Sequence, residues 1–339
     1  MARWIRRFGT KRNGFRYRRD DGRPVSAEDR ARIAALRIPP AWRDVHIAAS
    51  AAAPVQAWGY DVAGRKQYRY HVRSVERAER RKYHRVRRLG LDLPRIRRMI
   101  HRDFASAGLS RERVAAGVVR LISEKFFRVG CERYARENGS FGIATLRKKH
   151  ARVRAGTIEF TYPGKRRIRQ RQIVAEPTLA RFVSQLSRTP GTRLFRYRSR
   201  DGWGDLTARD INDYLKKGIG LGYTAKDFRT WGGTRCAATV LAELGPADSP
   251  TEAKRNAALA VRLVASELGN TPAICRKSYV HPVIVSEYVS RGETIRIPPS
   301  RRRSRNGGHT PEEIALLEFL SEHFPDRRRR ARPAETARG

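Results

Sequence analysis

"GRKQYRYHVRSVERAERRKYHRVRR", residues 64–88, changes its period part-way along. Up to His71, aromatic and polar residues alternate in "KQYRYH" (66–71), as they do in a strand with two unlike faces, and a turn at Ala63-Gly64 leads into it. From Ser74 the alternation is gone and "SVERAERRKYHRVRR" reads as a highly charged helix. The stretch therefore predicts a β-rich part before it and a helical part after it.

Upstream, "GFRYRR" (14–19) repeats the strand pattern. Downstream, Asp92 as cap and Pro94 as a first-turn residue predict a new helix carrying Ile96, Met99 and Ile100. Val114, Val118, Leu121 and Ile122 mark another, and Leu179, Phe182, Val183 and Leu186 the next. Thr207 and Asp210 form a capping pair ahead of Ile211, Tyr214 and Leu215. Val261, Val264, Ala265 and Leu268 keep helical spacing until Gly269, where a helix should stop.

One interruption stands in this helical part. In "TIEFTYPGKRRIRQRQI", Ile158, Phe160 and Tyr162 alternate before a Pro163-Gly164 turn, predicting a hairpin with Lys165 at its bend. After about residue 291, "PPSRRRSRNGG" reads as a linker, and "TPEEIALLEFLSEHF" carries a cap, an N1 proline and Glu313 in place for a short helix. "PDRRRRARPAETARG" reads as a basic tail whose arginines 327–330 add salt-sensitive affinity for nucleic acid. The predicted class is α+β: a small β-rich domain over 1–73, a mainly α-helical domain with a hairpin over 74–291, and a linker, short helix and tail over 292–339.

The chain has 339 residues, 40% of them hydrophobic, which suits folded domains. Its 74 Lys and Arg against 33 Asp and Glu leave a net charge of +41. Such a surplus repels itself in any compact state, so a polyanion is the expected partner and nucleic acid the leading one. No apolar run approaches the roughly 18 residues of a membrane span, and the N-terminus lacks the apolar core of a secretory signal. The expected location is cytoplasmic, at the nucleoid. Cys131, Cys236 and Cys275 form no CxxC pair, and the eight histidines no HExxH pair, so no metal is expected. "YPGKRR" lacks phosphate-loop spacing and "GIGLGY" (218–223) lacks the third glycine of a dinucleotide loop, so no nucleotide cofactor is expected either.

"NTPAICRKSYVHP" (270–282) sets Tyr279 among cations. A phenol is a poor nucleophile at neutral pH because its ordinary pKa is about 10, so chemistry there needs help from its surroundings. Attack on phosphorus needs cations on the non-bridging oxygens and an acid for the departing oxygen; arginine suits the first task and lysine the second. Arg128 follows the Phe126-Phe127 pair, Arg229 lies between Phe228 and Trp231, and Lys165 sits on the hairpin.

These segments resemble the type IB DNA topoisomerases of the bacterial and poxvirus kind. The matching pieces are "IPPAWRDV" (38–45), "GRKQYRYH" (64–71), "RVGCERYARENGSFGIATLRKKH" (128–150), "GK" (164–165), "TAKDFRTWGGT" (224–234) and "LGNTPAICRKSYVHP" (268–282), in family order. The resemblance implies a protein that clamps duplex DNA as a monomer and relaxes supercoils without ATP or metal. It implies Tyr279 as the nucleophile of a 3′-phosphotyrosyl link, Arg128 and Arg229 on the scissile phosphate, and Lys165 as general acid. Asn270 takes the place of a histidine in poxvirus-type members; an amide donates a hydrogen bond but carries no charge. Gln67, Tyr68 and Tyr70, with Tyr134 and Lys226, match DNA-contacting positions. Arg147, Lys148 and Lys149 read equally as phosphate contacts or a solvated helix end, and Gly139 and Gly142 as turn residues.

Two alternatives keep part of this pattern. A tyrosine recombinase shares the Arg, Lys, Arg and Tyr set, but typically has a histidine where this chain has Lys226 and a helical N-terminal domain. A non-catalytic DNA-packaging protein explains the charge but not the ordered motifs.

Overall fold

The computed structural model describes residues 4–219, 222–298 and 307–325. Arginines 327–330 and most of "PPSRRRSRNGG" lie outside them. The chain divides into two compact units, one ending at Tyr83 and one starting at His84.

The first unit is built on five antiparallel strands, β1 (Trp4–Thr10), β2 (Gly14–Arg19), β3 (Arg43–Ala48), β4 (Val55–Tyr60) and β5 (Lys66–Tyr70), in the order β2-β1-β3-β4-β5. The sequence pattern did not single out α1 (Ala27–Ala35), which Ser26 caps by accepting from Asp29 N. Ile5, Val45, Ile47 and Ala57 pack with Ile33 of α1 and Val25 into a small core. Alternation turns Trp4, His46 and Trp58 to the other face, where the His46 and Trp58 rings stack at 3.8 Å.

α2 spans Val72–Phe104 without a break. The expected helix start at Asp92 and Pro94 is therefore wrong: Pro94 lies inside a helix. A proline there leaves the carbonyl four residues back without its usual donor. That carbonyl belongs to Gly90, and the ring Nε2 of His309 donates to it at 2.8 Å. Asp92, free of capping duty, accepts from the Tyr223 hydroxyl at 2.6 Å. A distant side chain replaces the lost helical bond, which no local pattern announces.

The second unit continues with α3 (Arg111–Lys125), α4 (Glu132–Asn138), and a three-stranded sheet of β6 (Ala151–Arg154), β7 (Thr157–Pro163) and β8 (Arg169–Ala175). The expected hairpin is β7-β8, with Lys165–Arg167 forming the turn, and β6 joins it as an unanticipated third strand. Then come α5 (Pro177–Ser187), the ribbon β9 (Arg196–Ser199) and β10 (Gly202–Asp205), α6 (Ala208–Ile219), α7 (Ala225–Leu244), α8 (Pro250–Leu268), α9 (Pro272–Ser278), α10 (Pro282–Arg291) and α11 (Pro311–His323). Thr207 and Asp210 cap α6 as expected, with Thr207 N donating to Asp210 Oδ2 at 2.8 Å.

Much of α7 is buried, from Ala225 through Thr234 apart from Lys226, and it forms the spine of this unit. α11 is fastened to it: Glu313 is fully buried, takes a two-pronged bond from Arg97 at 2.7 and 2.9 Å, and lies 3.3 Å from Arg235 of α7. The architecture is α+β, a five-stranded antiparallel sheet unit followed by a mainly helical one with small sheets. No helix among the described residues is long and apolar enough to cross a membrane.

Candidate active site

Four local devices bring the candidate residues into place. The first ends α3: Phe126 adopts a left-handed conformation (φ 52°), which turns the chain so that Phe127 is buried and Arg128 follows it. The segment after it is pinned, since Ile143 N donates to Arg128 O and Ala144 N to Val129 O, both at 2.8 Å. Gly142 packs directly on the Arg128 and Gly130 backbone, and Gly139 ends α4 in a left-handed conformation, so both serve the chain path. Phe141 N donates to Pro163 O at 2.8 Å, which ties the base of the lysine hairpin to the same loop.

The second device is the end of α8. Gly269 is left-handed (φ 58°), and Asn270 N reaches back to Ala265 O at 3.0 Å. This six-to-one closure depends on a residue that tolerates positive φ, and it fixes where Asn270 points.

The third is the start of α7, where Asp227 Oδ2 accepts from Thr224 N and Oγ1 at 2.9 Å and Arg85 Nε donates to Asp227 Oδ1 at 2.9 Å. Arg229, one turn further, is only 4% exposed. Its Nη2 donates to Leu268 O at 2.9 Å and its Nη1 to Phe126 O. Two helix ends, those of α3 and α8, thus hold one guanidinium through their terminal carbonyls.

The fourth device carries the tyrosine. Thr271 caps α9, Pro272 opens it, and Tyr279 closes it with its N–H on Cys275 O at 2.9 Å. His281-Pro282 then starts α10, because the residue before a proline is turned away from helix. A Cβ added to Gly233 would come within 2.8 Å of Tyr279 O and 3.3 Å of Tyr279 Cβ, so a side chain there has no room. Thr234 Oγ1 adds hydrogen bonds to Tyr279 O (3.3 Å) and from His281 N (3.1 Å).

The result is a compact cluster. Arg229 Cζ lies 5.1 Å from the Tyr279 ring centroid. Arg128 Nη2 donates to Gly269 O at 2.8 Å and to Asn270 Oδ1. Asn270 Nδ2 is buried and has no hydrogen-bond partner among the described residues, and the same holds for Arg229 Nε. Burial, and then the nearby charge of Arg229, hold the Arg128 guanidinium below its ordinary pKa. An anion between the two arginines would relieve both effects.

Lys165 stands apart. It is exposed at the hairpin bend, followed by Arg166 and Arg167 at φ 61° and 62°, and no hydrogen bond joins it to the other four. The Gln170 side chain bridges the gap: its Cγ would meet a Cβ on Gly164 at 2.6 Å, and its Oε1 packs against Gly269.

Of the expected DNA contacts, Tyr68 and Tyr70 are exposed and stacked at 5.8 Å on one face of β5. Gln67 points to the opposite face, where its Nε2 donates to Asp61 Oδ2 at 3.0 Å. Tyr134 is exposed on α4, and Lys226 is exposed one turn before Arg229. Lys148 is committed to the carbonyl of Thr189, and Arg147 lies 5.5 Å from the Phe141 ring centroid.

Sequence reasoning missed Tyr162 and Cys275, which lie in the field of both arginines. Burial pushes the Tyr162 phenol up to about 12 and the Cys275 thiol up to about 11, against the pull of Arg128 and Arg229. It also missed Gly232-Gly233, a pair quoted in "TAKDFRTWGGT" whose signal was a lack of side chains: Phe126 packs on the first and Tyr279 on the second.

Comparison with known proteins identifies the family of the chain. Residues 70–297 match the family described as eukaryotic DNA topoisomerase I, catalytic core, and residues 14–61 match the bacterial DNA topoisomerase IB N-terminal domain. DNA topoisomerase 1B of Acanthamoeba polyphaga mimivirus is 33% identical over 282 residues, 81% of this chain and 84% of its own. DNA topoisomerase 1B of Vaccinia virus (strain Copenhagen) is 24% identical over 235 residues, 67% of this chain and 70% of its own. With both domains matched in order and four-fifths of its length aligned to one viral relative, this chain belongs to the type IB DNA topoisomerases.

Proposed function

We propose that Tyr279 is the nucleophile with which this type IB enzyme cleaves one strand of duplex DNA. Its Oη forms a bond to phosphorus, the bond to the 5′-oxygen breaks, and the 3′-phosphate stays on the tyrosine. The phenolic proton passes to water, and the departing 5′-oxygen takes a proton from the Lys165 ammonium. Religation runs the same steps backwards. One phosphoester is exchanged for another each way, so the link retains the strand's bond energy and no ATP is consumed. While the strand is held, torsion turns the free end and supercoils relax.

Arg128 and Arg229 bind the non-bridging oxygens, and the unpartnered Nδ2 of Asn270 supplies a further donor. The observation that carries the reading is Arg229 Cζ at 5.1 Å from the Tyr279 ring, with Asn270 bonded to Arg128 beside it. Lys165 reaches the leaving oxygen by movement of its turn, because it stands exposed and unbonded to the cluster. Residues 1–73 grip DNA through Gln67, Tyr68 and Tyr70, residues 74–291 add Tyr134 and Lys226 and carry out the chemistry, and 292–339 contribute α11 and a basic tail. The enzyme works as a monomer on the cytoplasmic nucleoid.

Incubating supercoiled plasmid with the protein and Tyr279→Phe tests the assignment. Wild type should yield a ladder of topoisomers without nucleotide, and the variant none, with gel retardation unchanged. Residual nicking by Tyr279→Phe sinks the proposal.

A further inference from the structure

α8 and α10 end alike. Gly269 and Gly292 are both left-handed, and the residue after each reaches back into the last turns of its helix: Asn270 N to Ala265 O, five positions back, at 3.0 Å, and Glu293 N to Glu287 O, six positions back, at 3.3 Å. At such left-handed helix ends the side chain after the glycine comes close to one on the last full turn, and a hydrophobic contact frequently joins them. At the end of α10 they are two carboxylates, Glu287 and Glu293.

α11 delivers a third donor. His323, its last residue, is 12% exposed, with Nδ1 3.9 Å from Glu287 Oε2 and Nε2 3.4 Å from Glu293 Oε2. One donor atom from each residue lies within 4.8 Å of the other two. Glu287 Oε2 is buried with no hydrogen-bond partner among the described residues. The nearby charges compensate it poorly: Arg291 Nη1 lies 3.4 Å away on an exposed side chain, and Glu322 adds another carboxylate 3.9 Å from His323 Nε2.

Two carboxylates placed side by side repel each other unless a cation joins them. Four ligands around a zinc-sized ion at about 2.0–2.1 Å lie roughly 3.4 Å apart, and the His323–Glu293 spacing of 3.4 Å already meets this. A side-chain rotation of Glu287 would close the other two edges, leaving a fourth position for water. One imidazole and two carboxylates suit a divalent ion of the zinc class. We propose that Glu287, Glu293 and His323 bind one such ion, which fastens α11 to α10.

The site lies outside the chemistry assigned above and does not depend on it. Its ligands lie 30 positions apart in sequence between Glu293 and His323, so no short motif exposes them. It does touch the tyrosine segment. α10 begins three residues after Tyr279, and Phe324, beside His323, meets the His281 ring edge-on at 4.7 Å.

Metal-stripped full-length protein titrated with Zn²⁺ alone at pH 7.5 tests this, read by calorimetry and by Tm. Wild type should bind one equivalent more than His323→Ala and more than Glu293→Gln. Its Tm should rise by about 5 °C at free Zn²⁺ a hundredfold above Kd, with no rise in either variant. Glu293→Gln changes an exposed side chain, so it controls for a folding defect in His323→Ala. Equal binding by wild type and both variants overturns the proposal.

Discussion

Arg128 holds Asn270 by its side-chain oxygen, across 142 positions of sequence, and thereby turns the amide nitrogen of Asn270 inward without a partner. A guanidinium only donates, so the oxygen must face it and the nitrogen must be the free end. The asparagine is thus oriented as a donor before any substrate arrives.

Asn270→Ala should slow strand cleavage about 100-fold, the usual effect of removing one donor from a developing oxyanion. Asn270→Asp should be worse than alanine, since its carboxylate pairs with Arg128 and repels the phosphate. Single-turnover cleavage of an oligonucleotide duplex measures both. A carboxylate variant faster than alanine would remove Asn270 from the phosphate-binding set.

Gly233→Ala should leave the fold intact but displace Tyr279, because the new methyl would sit 2.8 Å from the Tyr279 carbonyl oxygen. A shift of this size should slow cleavage about 100-fold. The overpacking should cost about 1–3 kcal/mol of stability. Cleavage kinetics and a urea melt separate the two effects; an unchanged rate would show that the tyrosine is not positioned by this contact.

Lys165→Ala should slow cleavage of an ordinary strand by about 100- to 10,000-fold, the span typical of a lost general acid. A 5′-thiolate leaving group needs little protonation, so the same variant should cleave a thio-substituted strand near the wild-type rate. If the thio strand shows no rescue, Lys165 has another role.

Glu313 links stability to pH. Burial works against its ionisation, but Arg97, the Thr310 N–H and Arg235 outweigh it and hold the carboxyl below its ordinary value of 4.5. A carboxyl lowered on folding stabilises the native state fully above the unfolded pKa and loses that contribution as pH falls through the folded one. Urea melts from pH 7 down to pH 3 should therefore show stability falling below about pH 4.5 in wild type, with a shallower fall in Glu313→Gln. At pH 7 the variant should be about 2 kcal/mol less stable, below the usual cost of breaking a buried pair because Arg97 is one-third exposed.

The local signals in the sequence served well where the interaction itself is local. The switch of period between Tyr70 and Ser74, the Thr207–Asp210 cap, the Gly269 stop and the β7-β8 turn all join residues a few positions apart, and each stands in the structure. Pro94 misled because its remedy, His309, is 215 positions away. The ordered motifs named Tyr279, Arg128, Arg229, Asn270 and Lys165 only through resemblance; 74 cations make any choice by composition weak.

By itself, then, the sequence determined the change from a strand-rich to a helical part, the basic character that calls for a polyanion, and the set of motifs that marks the family. The tertiary structure decided which atoms meet: that Arg229 is held by the carbonyls of Phe126 and Leu268, that Tyr279 rests on Gly233, and that Asn270 Nδ2 is left over. The physical reason is range. Periods and caps are settled by neighbours within a turn or two, whereas a phosphate-sized cluster of donors exists only after helices far apart in sequence have packed their small residues and ends together.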